Sequence, residues 1–169
     1  MPVKKELVIN TGPLIALVAA TGGLEILPFV FARIIVPPEV KQEIHAGGTT
    51  GFAVKEFNHS TFLHVPDQPT RIPDYLRNSL DLGEASVIQL ARENCVKTVC
   101  IDEAVGRRCA RLNGLSVTGS IGIMLHAHRL GYPIDIPSAL DHMQQHGIWL
   151  SRGLMETAIN LSRGQLPDP

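Results

Sequence analysis

Apolar residues fall along this chain in two alternating rhythms. Leu7-Val8-Ile9 is a short continuous apolar run that stops at Asn10-Thr11-Gly12-Pro13, after which Leu14, Ile15, Leu17 and Val18 recur at helical spacing. The pattern predicts a buried strand, a turn and a helix with Pro13 in its first turn, where proline's fixed φ suits the helix and its missing N–H is not needed. The unit recurs. Arg33-Ile34-Ile35-Val36 predicts a second strand, and Pro37-Pro38 opens a helix carrying Val40 and Ile44. From Gly47 to Pro73 glycine, threonine, proline and histidine intermix, which predicts mostly loop with one strand, Thr61 to Val65.

Asp81-Leu82-Gly83-Glu84 then begins a long periodic segment with Ala85, Val87, Ile88 and Ala91 on one face. Lys97 to Ile101 predicts a buried strand, Glu103 to Leu112 a helix, and Gly114 to Val117 a last short strand before Thr118-Gly119-Ser120. Beyond Pro133 two helical stretches follow, Pro137 to Gln145 and Gly153 to Leu161. Strands alternating with helices imply an α/β class, with a parallel sheet covered on both faces through right-handed crossovers. No shift in composition precedes the C-terminal stretch, so residues 1–169 are expected to form a single domain with 133–169 packing on the same core.

Composition narrows the function. A chain of 169 residues with 44% hydrophobic content is long enough for one well-buried core. Lys+Arg at 15 against Asp+Glu at 16 leave a net charge of -1, so no global basic field holds nucleic acid, and any such contact must be local. Cys95, Cys100 and Cys109 are odd in number and form no C-x-x-C pair, which argues against a disulfide framework and a structural zinc site. A reducing, cytoplasmic setting is expected. The start, Met-Pro-Val-Lys-Lys-Glu, leads into only a short apolar stretch, soon interrupted by Gly22-Gly23 and Glu25; neither a signal peptide nor a membrane span is expected.

In open parallel sheets ligands bind beyond the carboxyl ends of the strands, where loops and helix N-termini converge. Asn10 ends the first predicted strand and Asp102 ends the strand at Lys97 to Ile101. Glu43 lies one turn into the helix after Val36, and Glu84 begins the helix after the long loop. Three carboxylates and an amide are hard oxygen donors of the kind that hold Mg²⁺ or Mn²⁺. Such an ion activates water and offsets charge on a phosphodiester. Each residue also has a plainer role. Glu84 and Asp81 form a D-x-x-E capping arrangement, Asp102 stands where an N-cap belongs, Glu43 beside Lys41 is an ordinary solvated charge, and Asn10 is a turn residue. What those separate roles do not require is that all four lie in order at the element ends that one cleft would share.

Other chemistries find less support. His142 and His146 have i,i+4 spacing, but no H-E-x-x-H glutamate and no third ligand accompany them, so a solvated helix face is expected. His126 and His128 point in different directions on a helix. The first strand lacks the D-x-D of a haloacid-dehalogenase-like phosphatase, and Thr11-Gly12-Pro13 lacks the G-x-G-x-x-G of a dinucleotide site.

The motifs in order resemble the PIN-domain family. Val8-Ile9-Asn10-Thr11-Gly12-Pro13-Leu14-Ile15 is similar to the family's opening strand and Asp-Thr-Ser-x-Leu-Ile, departing at Asn10 and Gly12. Ile35-Val36-Pro37-Pro38-Glu39-Val40-Lys41-Gln42-Glu43 resembles the segment supplying its first glutamate, Leu82-Gly83-Glu84-Ala85-Ser86 its third acidic position, and Ile101-Asp102-Glu103 its fourth. Val117-Thr118-Gly119-Ser120-Ile121-Gly122 and Gly147-Ile148-Trp149-Leu150-Ser151 point to a PIN-like prokaryotic subfamily of predicted nucleic-acid-binding proteins, related to toxin–antitoxin ribonucleases.

The resemblance implies a three-layer α/β/α sandwich with a mostly parallel sheet of four to five strands. It also implies a Mg²⁺- or Mn²⁺-dependent endoribonuclease in which Asn10, Glu43, Glu84 and Asp102 are the catalytic and metal positions. RNA is then the substrate, with an antitoxin protein and a homodimer as expected partners. Thr11 and Ser120 are candidates to orient water or phosphate, or else plain helix caps. Arg107, with Arg108 and Arg111 on the same helix, is a candidate phosphate contact or else a surface salt-bridge partner. Asn10 in place of a carboxylate removes one negative charge, which weakens metal binding and leaves open a binding module without efficient turnover.

Overall fold

The computed structural model describes residues 3–47 and 51–165. The parts of the expectations above that concern residues 1–2, 48–50 and 166–169 lie outside the described residues. Five strands form one sheet: β1 (Glu6–Ile9), β2 (Arg33–Ile35), β3 (Leu63–His64), β4 (Thr98–Cys100) and β5 (Ser116–Thr118). All are parallel, in the order β3-β2-β1-β4-β5. Val8 of the central strand pairs with Ile35 on one side and Val99 on the other. Leu7, Val8, Ile9, Val99 and Cys100 have no exposure, the condition of a parallel sheet buried on both faces.

The helices are α1 (Thr11–Thr21), α2 (Ile26–Val30), α3 (Pro38–Ala46), α4 (Val54–His59), α5 (Asp74–Arg77), α6 (Leu82–Glu93), α7 (Ala104–Leu112), α8 (Ser120–Arg129), α9 (Ile136–Gln145) and α10 (Arg152–Ser162). They cover the sheet as the outer layers of an α/β/α sandwich. α6 lies over β1 and β4 and packs against α3, α5 and α7. α8 packs against α1 and α2, while α9 runs along α1 and α10 rests on α8 and α9.

The predicted strands and longer helices are present, with ends shifted by a residue or two. The stretch expected to be mostly loop contains α4, and α2 and α5 also form; these helices of four to six residues are too short to display a helical period. Phe57 is buried on α4 and Leu76 on α5, so tertiary packing holds them. α8 has an extent that periodicity alone does not delimit, because Gly119 and Gly122 interrupt the pattern; Ile123, Met124 and Ala127 form its buried face.

The chain steps outward from β1 through β2 to β3, then returns to the other side of β1 for β4 and β5. The order therefore reverses between β1 and β4, and the crevice beyond their carboxyl ends is where such sheets bind ligands. Asn10 follows β1 directly, and Asp102 stands two residues beyond β4.

Candidate metal centre

Asn10 is the N-cap of α1 and is only 7% exposed. An N-cap side chain ordinarily accepts from the second or third helical N–H. Here the third helical residue is Pro13, which has none, and the Asn10 side chain makes no cap bond. Its Oδ1 is buried without any hydrogen-bond partner among the described residues. An unsatisfied acceptor of this kind costs about 1–3 kcal/mol. Its backbone N–H donates to the Cys100 carbonyl at 3.1 Å, which fixes the residue against the end of β4.

Glu43, on the exposed side of α3, turns its carboxylate back to this point. Its Oε2 accepts a 2.5 Å hydrogen bond from the Thr11 hydroxyl. Gly83, the second residue of α6, closes the group: a Cβ built there would lie 2.7 and 2.8 Å from the two Glu43 oxygens and 2.9 Å from Asn10 Oδ1. The absent side chain leaves the space in which amide and carboxylate oxygens converge. Thr11 thus positions Glu43 and is the first residue of its helix, not the cap.

Glu84 enters the same region from α6 and is 5% exposed. Asp81 caps the helix by accepting the Glu84 N–H at 2.8 Å, so the predicted capping arrangement exists. The Glu84 carboxyl lies against Gly106, where an added Cβ would stand 2.5 Å from Oε1. Burial pushes its pKa from the ordinary 4.5 up to about 7, and the Asp81 charge adds to the rise. The Asp81 backbone N–H opposes the rise, whereas the Glu103 and Glu43 charges reinforce it.

Asp102 is exposed. The N-cap of α7 is Glu103, not Asp102. Asp102 accepts the Ser120 N–H at 2.8 Å on Oδ1 and the Ser120 hydroxyl at 2.9 Å on Oδ2. The first N–H groups of α8 lack partners within their own helix and attract a carboxylate from the neighbouring strand end. Ser120 is correspondingly not a cap; Gly119 holds that position, and Ser120 is a buried first residue that donates to Asp102. Arg107 Nη1 donates to the Ile101 carbonyl at 2.9 Å. The salt-bridge role weighed for Arg107, Arg108 and Arg111 is not met, since the ion pairs among the described residues are Arg33 with Glu6 and Arg152 with Glu156.

The candidate residues form two neighbouring groups across the tips of β1 and β4. Asn10, Thr11 and Glu43 meet at Gly83 with Glu84 within electrostatic reach, and Asp102 is held with Ser120 near Arg107. Among the described residues no three His, Cys, Asp or Glu side chains cluster closely enough to hold a metal by themselves. The amide of Asn10 is outside that set of residue types. A partnerless buried oxygen, an adjacent carboxylate and a space kept open by Gly83 fit a hard divalent cation. His142 and His146 are exposed, as a solvated helix face requires.

A cavity of about 930 Å³ adjoins the Asp102 group and is lined by Gly12, Asp102, Glu103, Arg107, Trp149 and Leu154 among others. Gly83 and Gly106 act through having no side chain, and the only sequence signal for Gly83 is a poor helix former in the first turn of a helix.

A doubly covered parallel sheet with hard oxygen donors at its topological switch point defines an α/β/α protein with a strand-tip site. The family model described as DUF3368, PIN domain, matches residues 6–163, and the chain belongs to this PIN-domain family. The PIN domain is in general a nuclease fold. No curated protein matches this chain.

Proposed function

We propose that the chain is a Mg²⁺- or Mn²⁺-dependent endoribonuclease that hydrolyses RNA phosphodiester bonds. The observation that carries this reading is the buried, partnerless Asn10 Oδ1 beside the Glu43 carboxylate. Asn10 and Glu43 hold the cation, with Glu84 beside them. When bound, such an ion lowers the pKa of a water and offsets the charge developing on a phosphate. Thr11 fixes the Glu43 carboxylate, and Ser120 fixes Asp102 at the edge of the adjoining cavity. Arg107 spends one N–H on the Ile101 carbonyl and retains others for the phosphate backbone. The family resemblance supports a toxin role, with an antitoxin protein and a second copy of the chain as partners. Three free cysteines, one of them exposed, suit the cytoplasm. Residues 1–169 are taken as one folding unit.

A second reading, a binding module for RNA or a protein with little turnover, is favoured by Asn10 itself. An amide brings no negative charge to the ion, and a pair of ions roughly 3.5–4 Å apart needs bridging carboxylates. One experiment separates the two. Single-stranded RNA is expected to be cut in Mn²⁺ but not in EDTA, and Glu43→Gln or Asp102→Asn is expected to slow cleavage by roughly a hundredfold. RNA bound but never cut would replace the nuclease with the binding module.

A further inference from the structure

The backbone of the segment joining α9 to α10 is anchored at both ends. α9 ends in a Schellman motif: the Gly147 N–H donates to the Gln144 carbonyl at 2.9 Å and the Ile148 N–H to the Met143 carbonyl at 3.1 Å. Gly147 has φ of +81°, which a side chain would resist. Four residues on, Ser151 caps α10 by accepting the Leu154 N–H. Trp149 lies between these two fixed points. It is the only tryptophan in the chain, and it is 84% exposed although it lines the cavity that also contains Asp102 and Arg107. Ile15 and Leu154 extend its apolar wall.

We propose that Trp149 is a stacking platform for a nucleobase of single-stranded RNA whose phosphate backbone passes Arg107. The inference rests on the reading of this protein as one that binds RNA. An exposed indole on an anchored backbone presents a flat face at small entropic cost, and every base offers a face to match it. The cavity suits this occupant better than a protein segment because its lining combines the two kinds of contact that a nucleotide uses. Ile15, Trp149 and Leu154 offer apolar surface for a base, and the Arg107 guanidinium a contact for a phosphate, beside the carboxylates of Asp102 and Glu103. With a net charge of -1, the protein has little general attraction for a polyanion, so affinity must come from local contacts such as stacking.

The single tryptophan makes the test direct. Oligonucleotides are titrated in EDTA, so that no strand is cut, while Trp149 emission and the anisotropy of a labelled strand are recorded together. Single-stranded RNA is expected to quench the emission, and an abasic strand with the same phosphates is not. Trp149→Ala is expected to weaken RNA binding by roughly tenfold or more, and Trp149→Phe to keep most of it. RNA binding with unchanged emission and unchanged affinity in Trp149→Ala overturns the proposal, as does the absence of any RNA binding. If emission instead shifts with protein concentration, and sedimentation shows a dimer that Trp149→Ala dissolves, the wall belongs to a second copy and the proposal falls. Cleavage in Mn²⁺ that is indifferent to Trp149→Ala would leave the nuclease standing and remove only the platform. Quenching without cleavage would do the reverse.

Discussion

At the scale of single residues, two oxygens dominate the behaviour expected of the apo protein. Asn10 Oδ1 is buried without a donor because Pro13 removes one of the N–H groups that would cap it. Asn10→Asp places a further negative charge near Glu43 and Glu84. It is expected to destabilise the metal-free protein and to raise Mn²⁺ affinity about tenfold or more, in the range of a single added ligand interaction. Calorimetric titration checks this, and equal affinities in the two proteins would remove Asn10 from the ion. Glu84 governs pH dependence. Its pKa is raised from 4.5 to about 7 on folding, so the folded state holds the proton more tightly than the unfolded chain. Stability in EDTA is therefore fully present below pH 4.5 and is lost as pH rises through 7. The loss is expected to be about 1–3 kcal/mol, and Glu84→Gln to abolish it. Urea unfolding at pH 5 and pH 8 measures the slope; identical slopes in the two proteins would contradict the assignment.

At the scale of elements, the first turn of α6 decides whether the site can exist. Gly83→Ala favours the helix by up to about 1 kcal/mol, yet its Cβ would meet the Glu43 oxygens at 2.7 and 2.8 Å. A flexible carboxylate can swing away, so the metal-free protein is expected to unfold within about 1 kcal/mol of the parent. What it should lose is the stabilisation by Mn²⁺, which in the parent grows with ion concentration. Thermal unfolding with and without Mn²⁺ gives both numbers, and an undiminished metal response would place the ion elsewhere. The strand pattern, the proline-led start of α3 and the D-x-x-E start of α6 were all legible from residue spacing. Those features depend on neighbours within one turn or one strand. The plainer role weighed for Asp102, the cap of its own helix, is not met, because the N–H that it accepts belongs to α8, 18 residues later and one strand away.

At the scale of the molecule, α9 and α10 are what join the C-terminal stretch to the rest. α9 runs along α1, and Leu140 and Met143 of α9 and Ala158 of α10 are almost wholly buried. Asn10 is the N-cap of α1, so the α9 contact also braces the helix that carries the site. If residues 1–169 are one folding unit, Leu140→Ala should lower the stability of the whole chain by about 2–5 kcal/mol in a single transition. Two separated transitions in circular dichroism, only one of them shifted, would instead make the C-terminal helices an independent unit.

The sequence by itself determined the alternation of strand and helix, the burial of the strands and the family of the chain. These follow from local periodicity and from motifs in a fixed order, which a linear reading can see. Only the tertiary structure decided that Asn10 Oδ1 is left without a donor, that Gly83 keeps a space open between Asn10 and Glu43, that burial pushes the Glu84 pKa up, and that Asp102 turns to Ser120. It also brought Trp149 to the same cavity as Asp102, 47 positions earlier in the numbering. The reason is common to all five. Each depends on what surrounds an atom in three dimensions, and those surroundings are assembled from strands and helices far apart in the chain.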